Sequence, residues 1–469
     1  MMMQTGNTQI LVRLSPLLLA MLTACASPTW QAPTLATPQQ WQTAPTQANQ
    51  SSSLVSSDSE FWAGFADEQL VALQSIAATQ NADLALAAIR LRKAGYAVDK
   101  SGLDRQPNVS ASLNKGASWE LDPVRYRGES TSANIGVSWE IDLWGKQADQ
   151  QQAARWREQA SVAEQEAMRQ SVMASVATAY WTIARDQNAL VLAQDDLQRA
   201  RSTQTMVERR YKAGVVSGLD ITQARSNTLQ QENNLSKAKL ALNKSQWQLG
   251  VLLNQTPEST AGTSATLPAV YPTIPAGIPA DVLNRRPDLA AATAKLQASF
   301  ADQQAARKSW YPTLSLTGGV GTSSQELANF LLNPVASLGA GLTLPFIQFN
   351  EMTLSNKTNA ADYEATVIEY RQKWLISLQE VEAGLANLAQ LNADLPRMQA
   401  LADETLKAEK QTQIRYEAGA MAFDAVLNAR ARRQAAEYAL LQHQFQLALA
   451  TVEIYKALGG APMVPPTTS

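Results

Sequence analysis

Cysteine and histidine each occur once in 469 residues, as Cys25 and His443. A single cysteine excludes an internal disulfide, and the lack of any Cys/His cluster leaves no zinc-type site. Charge is sparse as well: Lys and Arg number 39 against 41 Asp and Glu, together 17% of the chain, with no long run of either sign. The basic face that nucleic acid requires is therefore missing. No Gly-rich phosphate loop follows a strand. Gly318-Gly319-x-Gly321 falls inside a strand-like stretch and reads as backbone that faces a lumen or packs closely. His443 sits in a Gln/Leu-rich helical stretch suited to packing or solvent rather than to general-base work. These absences argue against an enzyme and against a bound cofactor or metal. Long apolar runs are missing too. Beyond the first two dozen residues no stretch of 18 or more exists, so any membrane crossing must be made of strands.

What the chain does have is itself, twice. A shift of 205 positions carries Asp83-Leu84 onto Asp288-Leu289, Pro107 onto Pro312, Gly116 onto Gly321 and Gly136 onto Gly341. The run Arg210-Tyr211-x-Ala213-Gly214 lands on Arg415-Tyr416-x-Ala418-Gly419, and Ala224-Arg225 on Ala429-Arg430. A match of this order without gaps marks a duplicated supersecondary unit of about two hundred residues, not a short solenoid repeat.

The amino terminus carries one basic residue, Arg13, then the apolar stretch Leu14 to Leu22, which is too short for a mature membrane helix. It reads as an export signal over 1–24. Leu22-Thr23-Ala24-Cys25 resembles the bacterial lipobox, in which the cysteine is lipidated and becomes the new terminus; the alternative is ordinary cleavage after Ala24-Cys25-Ala26. With Ala26 rather than Asp next, the lipoprotein reading implies outer-membrane sorting, and acyl chains give an anchor rather than a span. Residues 25–58, rich in Pro, Thr, Ser and Gln, read as a tether. A Pro-rich linker at 255–280 then separates a first repeat (59–254) from a second (281–460), with a tail at 461–469.

Each repeat reads as helix, two strands, very long helix, tight turn, helix. From Lys146 to Ala213 there is neither Gly nor Pro. Val176, Ile183, Leu190 and Leu197 recur every seven positions, partnered by Val172, Ala179, Ala193 and Ala200. Such a helix is roughly 100 Å long. Its second copy, about 351–418, contains Gly384 and Pro396, and Pro396 is expected to kink it or force a bulge. Return helices are expected at about 219–254, with a seam of Ile221, Leu235, Leu242 and Leu249, and at about 423–458.

Four segments alternate: about 108–119, 132–142, 313–322 and 335–344. One face carries Val109, Ala111, Leu113, Ile135, Val137, Trp139, Leu314, Leu316, Val320, Leu338 and Leu342, while the other is Ser, Thr, Asn and Gly. Alternation alone fits a half-buried soluble sheet as well as a lipid-facing barrel. The strand lengths, the small uncharged polar face and the placing of Trp119 and Trp139 favour the barrel. Four strands cannot close one, so further copies are required.

Leu283-x-Arg285-Arg286-Pro287-Asp288-Leu289, Ala305-Ala306-Arg307, Tyr311-Pro312-x-Leu314-x-Leu316 and the paired Tyr-x-Ala-Gly runs resemble the TolC-like outer-membrane factors, above all their lipoprotein branch, from about Phe61 to Gly460. The resemblance implies a mainly α fold with a small β part. It implies a homotrimer: three chains each give four strands to a twelve-stranded transmembrane β-barrel, continued by a long periplasmic α-helical barrel. It also implies a periplasmic adaptor (membrane fusion) protein and an inner-membrane efflux transporter as partners. The adaptor would meet the hairpin turns, here Tyr211, Gly214, Val215 and Ser217 in one copy and Tyr416, Gly419 and Met421 in the other. Acidic residues nine and twelve positions after the second tyrosine form a cation-selective ring in the family. Ala425 and Asn428 stand there instead, so a gate would rest on Tyr416, Asp424 and Arg430 with Asp220 and Arg225. A second departure is Pro345-Phe346-Ile347-Gln348-Phe349-Asn350, in place of an acidic, Gly-rich turn.

The residues also read without the resemblance. Gly214 and Gly419 are placed for the left-handed conformation that closes a helix, and Ser217, Asp220 and Asp424 for capping the returning helices. The leading expectation is an outer-membrane exit duct for drugs or other small molecules. The alternatives are a pore-less periplasmic coiled-coil tether, or the same duct serving type I protein secretion.

Overall fold

The computed structural model describes residues 30–33, 35, 38, 41–42, 58–272, 285–324 and 334–460. The export signal, Cys25, nearly all of the tether, part of the linker and the C-terminal tail lie outside these residues. The elements run α1 (Asp58–Ala63), α2 (Glu68–Gln80), α3 (Ala82–Leu103), β1 (Asn108–Leu121), β2 (Val124–Ile141), α4 (Lys146–Lys212) and α5 (Gly218–Leu252). The second half holds α6 (Pro287–Lys308), β3 (Thr313–Ser324), β4 (Pro334–Thr343), a 3-10 turn (Pro345–Ile347), α7 (Phe349–Glu417) and α8 (Phe423–Ala457). Among the described residues no helix is long and apolar enough to cross a membrane. Two compact units result: one contains Gly95–Glu158 and Ala294–Glu369, the other Ala36–Ala94, Gln159–Thr293 and Tyr370–Ser469.

In the first unit the strands form one antiparallel sheet in the order β1-β2-β3-β4, so β1 and β4 are its edges. Register places Ala111 opposite Ile135, Ile135 opposite Val320 and Leu314 opposite Leu342, so the apolar residues of all four strands share one face. Among the described residues nothing covers that face: Val109, Leu113, Ile135 and Leu338 are all exposed. The opposite face is set by small side chains. A Cβ added to Gly321 would lie 2.7 Å from Asn134 Oδ1, which explains the glycine-rich stretch as close approach across the sheet.

The second strand begins well before residue 132. The sequence bounds of about 108–119 and 132–142 fall short: β1 runs on to Leu121, and 124–126 and 128–131 pair with it as a ribbon closed at Asp122-Pro123, although Arg125, Arg127 and Glu129 interrupt the apolar alternation. Ion pairs Lys115–Glu129 and Arg127–Glu120, at 2.8 and 2.9 Å, and a Trp119–Tyr126 ring contact tie the two strands together. A bulge at Arg127–Gly128, where Gly128 has φ 123°, shifts the register.

Strand passes to helix through fixed contacts. Asp142 accepts from the amides of Gln147 and Ala148, satisfying the open first turn of α4. Trp144 Nε1 donates to Pro312 O at 2.7 Å, with its ring against Tyr311, joining the two strand–helix corners. Trp139 Nε1 donates to Arg105 O at 3.0 Å, which gives this belt residue the polar partner its ring needs. In the second copy a 3-10 turn at Pro345, itself without a side-chain cap, precedes α7.

The second unit is packed helices. Val172, Val176, Ile183, Ala193, Leu197 and Ala200 of the α4 seam are buried, while Leu190 is half-buried. An aromatic cluster from α1 adds to this core: Phe61 stacks on Tyr455 at 4.0 Å and Phe65 meets Trp181 at 5.0 Å. Helix α7 continues through Pro396 with no non-helical residue there. Gly384 is a packing site rather than an interruption, since a Cβ would lie 3.0 Å from Ile454 Cδ1. His443 is buried, its Nε2 2.8 Å from Leu391 O, in a packing role.

The Arg-Arg-Pro-Asp stretch is a clamp. Buried Arg286 meets both carboxylate oxygens of Asp288 (2.9 and 2.8 Å), Glu380 (2.6 Å) and Ala457 O (3.0 Å), while Lys373 lies 2.8 Å from Asp288. Burial raises the Asp288 pKa, but bonds from Arg286 and Lys373 outweigh it and hold the group at about 2. A folded-state pKa below the unfolded value of about 3.9 gives stability that is complete above that value and is lost as pH falls toward 2. Asp288→Asn is therefore expected to melt below wild type at pH 6, with the gap closing as both are titrated toward pH 2. A gap independent of pH would assign the effect to shape rather than charge.

Candidate functional site

Two features can do chemistry or transport: the paired hairpin turns and the open sheet. Both turns close in the same way. Gly214 (φ 74°) and Gly419 (φ 75°) take the left-handed conformation, with Val215 N bonding Arg210 O and Ala420 N bonding Arg415 O. This six-residue closure satisfies the last helical carbonyls, and a side chain at either glycine would be strained.

The re-entry differs between copies. Ser217 and Asp220 form a reciprocal capping box on α5: Ser217 N donates to Asp220 Oδ2 at 2.9 Å, and Asp220 N to Ser217 Oγ at 3.3 Å. At α8 the cap position is Ala422, which makes no side-chain bond. Asp424 accepts from the adjacent Ala425 amide at 2.8 Å.

The two tyrosines also differ. Tyr211 is exposed, as are Val215 and Met421. Tyr416 is buried against Phe423 at 5.5 Å, and Arg210 lies over its ring at 4.8 Å while donating to its carbonyl at 3.0 Å. Burial is the main cause of the raised Tyr416 pKa, with Arg210 opposing it. Arg210 thus joins the first turn to the second. Sequence reading used this arginine only as a repeat marker.

Of the charged gate candidates, Arg225 is exposed and pairs with Glu208 at 3.3 Å. Arg430 is buried: Nε lies 3.1 Å from Glu409 Oε1 and one terminal nitrogen 3.1 Å from Thr203 Oγ1. One turn on, Arg433 pairs with Asp196, Glu409 and Glu437. This network crosses from α4 to α7 and α8, binding the two hairpins through charges removed from water. Asp196, Glu409 and Arg433 went unnoticed in the sequence; the signal available was Arg430 and Arg433 three apart on one helix face. Among the described residues no cluster of His, Cys, Asp and Glu is arranged to hold a metal.

The sheet has two unpaired edges, an exposed apolar face and a small polar face. Such a wall is stable in hydrocarbon only if its edges find strands elsewhere. The family described as Outer membrane efflux protein matches the chain over 73–255 and again over 278–460, two spans offset by the same 205 positions as the internal matches. The chain belongs to that family. It is an outer-membrane efflux channel, the exit duct of a tripartite pump, reaching from the outer membrane into the periplasm; the family is one of channels rather than of enzymes.

Among relatives, the pyoverdine export outer membrane protein OpmQ of Pseudomonas putida is 30% identical over 466 residues, covering 95% of this chain and 96% of the relative. The toxin and drug export protein A of Aggregatibacter actinomycetemcomitans is 26% identical over 406 residues, covering 86% and 88%. The outer-membrane channel OprN superposes with a TM-score of 0.81 at 24% identity, covering 93% of this chain and 99% of that one. The Campylobacter jejuni CmeC outer membrane channel gives 0.82 at 22%, covering 93% and 94%. At these identities the solved structures speak for the fold alone: a mainly helical channel protein with a small antiparallel sheet.

Proposed function

We propose that this efflux channel is a lipid-anchored homotrimer whose three sheets join edge to edge as a twelve-stranded barrel, passing small organic molecules outward without using energy itself. One observation carries this reading: the four-stranded sheet exposes an apolar face and, among the described residues, leaves the outer edges of β1 and β4 without a strand, so neighbours must complete it in lipid. Cys25 carries the lipid. The exposed turn residues Tyr211, Gly214, Val215, Ser217, Gly419 and Met421, with Tyr416 behind them, receive the periplasmic adaptor, which delivers substrate from an inner-membrane transporter. Tyr416 and Arg430, which connect the hairpins, act with Asp220, Arg225 and Asp424 as the gate. Export of pyoverdine, toxin and drugs by named relatives supports small molecules as cargo and keeps protein secretion as the second reading.

The test is native mass measurement of the detergent-extracted mature protein together with planar-bilayer recording. A trimer with an acylated Cys25 and discrete conductance steps is expected. A stable monomer without conductance would sink the reading and restore the tether. Adaptor cross-linking at the turns, with identification of the attached pump, separates drug efflux from protein secretion.

A further inference from the structure

The β1–β2 ribbon outruns the rest of the sheet. The last β3 partner of β2 is Ser324, opposite Thr131, and β4 begins at Pro334, opposite Thr322. Beyond Thr131, at the end away from α3 and α4, the two strands pair only with each other among the described residues. Their side chains still divide between two faces. On β1 the alternation that carries Val109 and Leu113 runs unbroken through Lys115 to Trp119 and Leu121. On β2 it would fail, because a strict period of two from Glu129 puts Arg127 and Arg125 on the apolar side and Tyr126 on the polar one. The bulge at Arg127–Gly128 adds one residue, and register then sets Tyr126 opposite Trp119 and Val124 opposite Leu121. All four are exposed, and the Trp119 and Tyr126 rings touch at 5.7 Å.

Height separates these rings from an ordinary aromatic girdle. Ser138 lies opposite Asn108, so Trp139, at the lower end of the apolar band, is eight residues below the Lys115–Thr131 pair and twelve below Trp119. At about 3.4 Å per residue and a tilt of about 40°, these spans are about 20 Å and about 30 Å across the bilayer, against an apolar band of about 25 Å. Hydrocarbon therefore ends just above the Lys115–Glu129 ion pair, and Trp119 and Tyr126 stand in the layer outside it. A girdle at the height of Trp119 would sink that ion pair into hydrocarbon, where charge is costly.

Read outward, this face offers a surface for acyl chains at Val109, Leu113 and Ile135, then the cation Lys115, then two rings with polar tips. A phosphorylated glycolipid carries its groups in the same order: acyl chains, phosphate, sugars. We propose that this face of the ribbon binds a phosphorylated glycolipid of the outer leaflet, with Lys115 taking the phosphate and the Trp119–Tyr126 pair the sugars beyond it. The inference rests on the sheet being a lipid-facing wall and adds which lipid it selects and with which residues. Lysine serves phosphate as a point charge, and exposed aromatic rings suit a partner that is apolar on one side and wet on the other. Glu129 does not prevent this. The ion pair is 63% and 50% exposed, contributes little by itself, and yields its lysine to a phosphate.

The test titrates the full-length, detergent-extracted protein with three lipids and reads retention by native mass measurement: a rough lipopolysaccharide with phosphate and a short sugar core, lipid A without that core, and phosphatidylglycerol. Wild type is expected to retain the core-bearing lipid most and phosphatidylglycerol least. Lys115→Gln should weaken both phosphorylated glycolipids about tenfold, as loss of a charge-assisted bond does. Trp119→Ala combined with Tyr126→Ala should weaken the core-bearing lipid alone. Glu129→Gln should bind both glycolipids about threefold tighter by releasing the lysine, a gain that a merely structural ion pair would not give. Equal retention of phosphatidylglycerol and the core-bearing lipid by wild type, or a double variant that keeps its preference for the core, overturns the proposal and leaves the channel reading standing. A native monomer that takes up no lipid overturns both.

Discussion

Arg433→Met is expected to destabilise the protein by about 3–5 kcal/mol, the loss that follows when a buried ion pair keeps only one partner. Arg433 is 3% exposed and so is Asp196, whose interhelical ion pair is with Arg433; Glu409 would retain Arg430 at 3.1 Å. The deletion therefore strands a carboxylate in the packed helices rather than merely removing an attraction. Thermal unfolding should show the loss, and hydrogen exchange should place it in α8 and the adjoining part of α4. Adding Asp196→Leu to Arg433→Met is expected to recover much of it, because two apolar groups need no charge partner. A single variant within 1 kcal/mol of wild type would mean that water reaches the pair.

The second large effect lies in the sheet. Ile135 sits between Ala111 and Val320 on the apolar face, and Ser112 is paired with Asn134 on the other. Arginine at a lipid-facing position near the bilayer midplane costs about 2–4 kcal/mol. Ile135→Arg should therefore sharply reduce the assembled protein recovered from outer membranes. Ser112→Arg should assemble normally and instead shift single-channel conductance toward anions, since it adds charge to the water-filled side. Equal loss in both variants would mean that the faces are not divided between lipid and lumen.

Much of this was legible in the sequence because its signals are local or periodic. The alternation of Val109 to Leu113 and of Ala133 to Ile141 gives the face directly, since strand side chains alternate. Gly214 and Gly419 follow from what helix closure demands of the backbone. Residues 120–131 were not legible as strand: their pairing rests on cross-strand charges, which look like a solvated loop in one dimension. Gly384 looks like a break until Ile454 is set against it. The Asp196–Arg433 pair spans 237 positions with no periodic link between its partners. Tyr211 and Tyr416 share one motif, yet Tyr416 is buried among Val207, Phe423 and Val426 beneath Arg210 while Tyr211 is exposed, a difference the motif does not carry. Arg430 reads as a tip charge in sequence, whereas its burial makes it part of what holds the hairpins together.

The capping box at Ser217–Asp220 has no counterpart at Ala422, and a cap of this kind is worth about 0.5–2 kcal/mol. One corner of every chain is therefore stiff and the next compliant, although both descend from the same ancestral bend. In the trimer proposed above the corners would alternate, so six similar positions would divide into two classes of three. If the gate proposed above lies at these turns, a motion that begins at the pliable class would widen the opening while the rigid class keeps its footing.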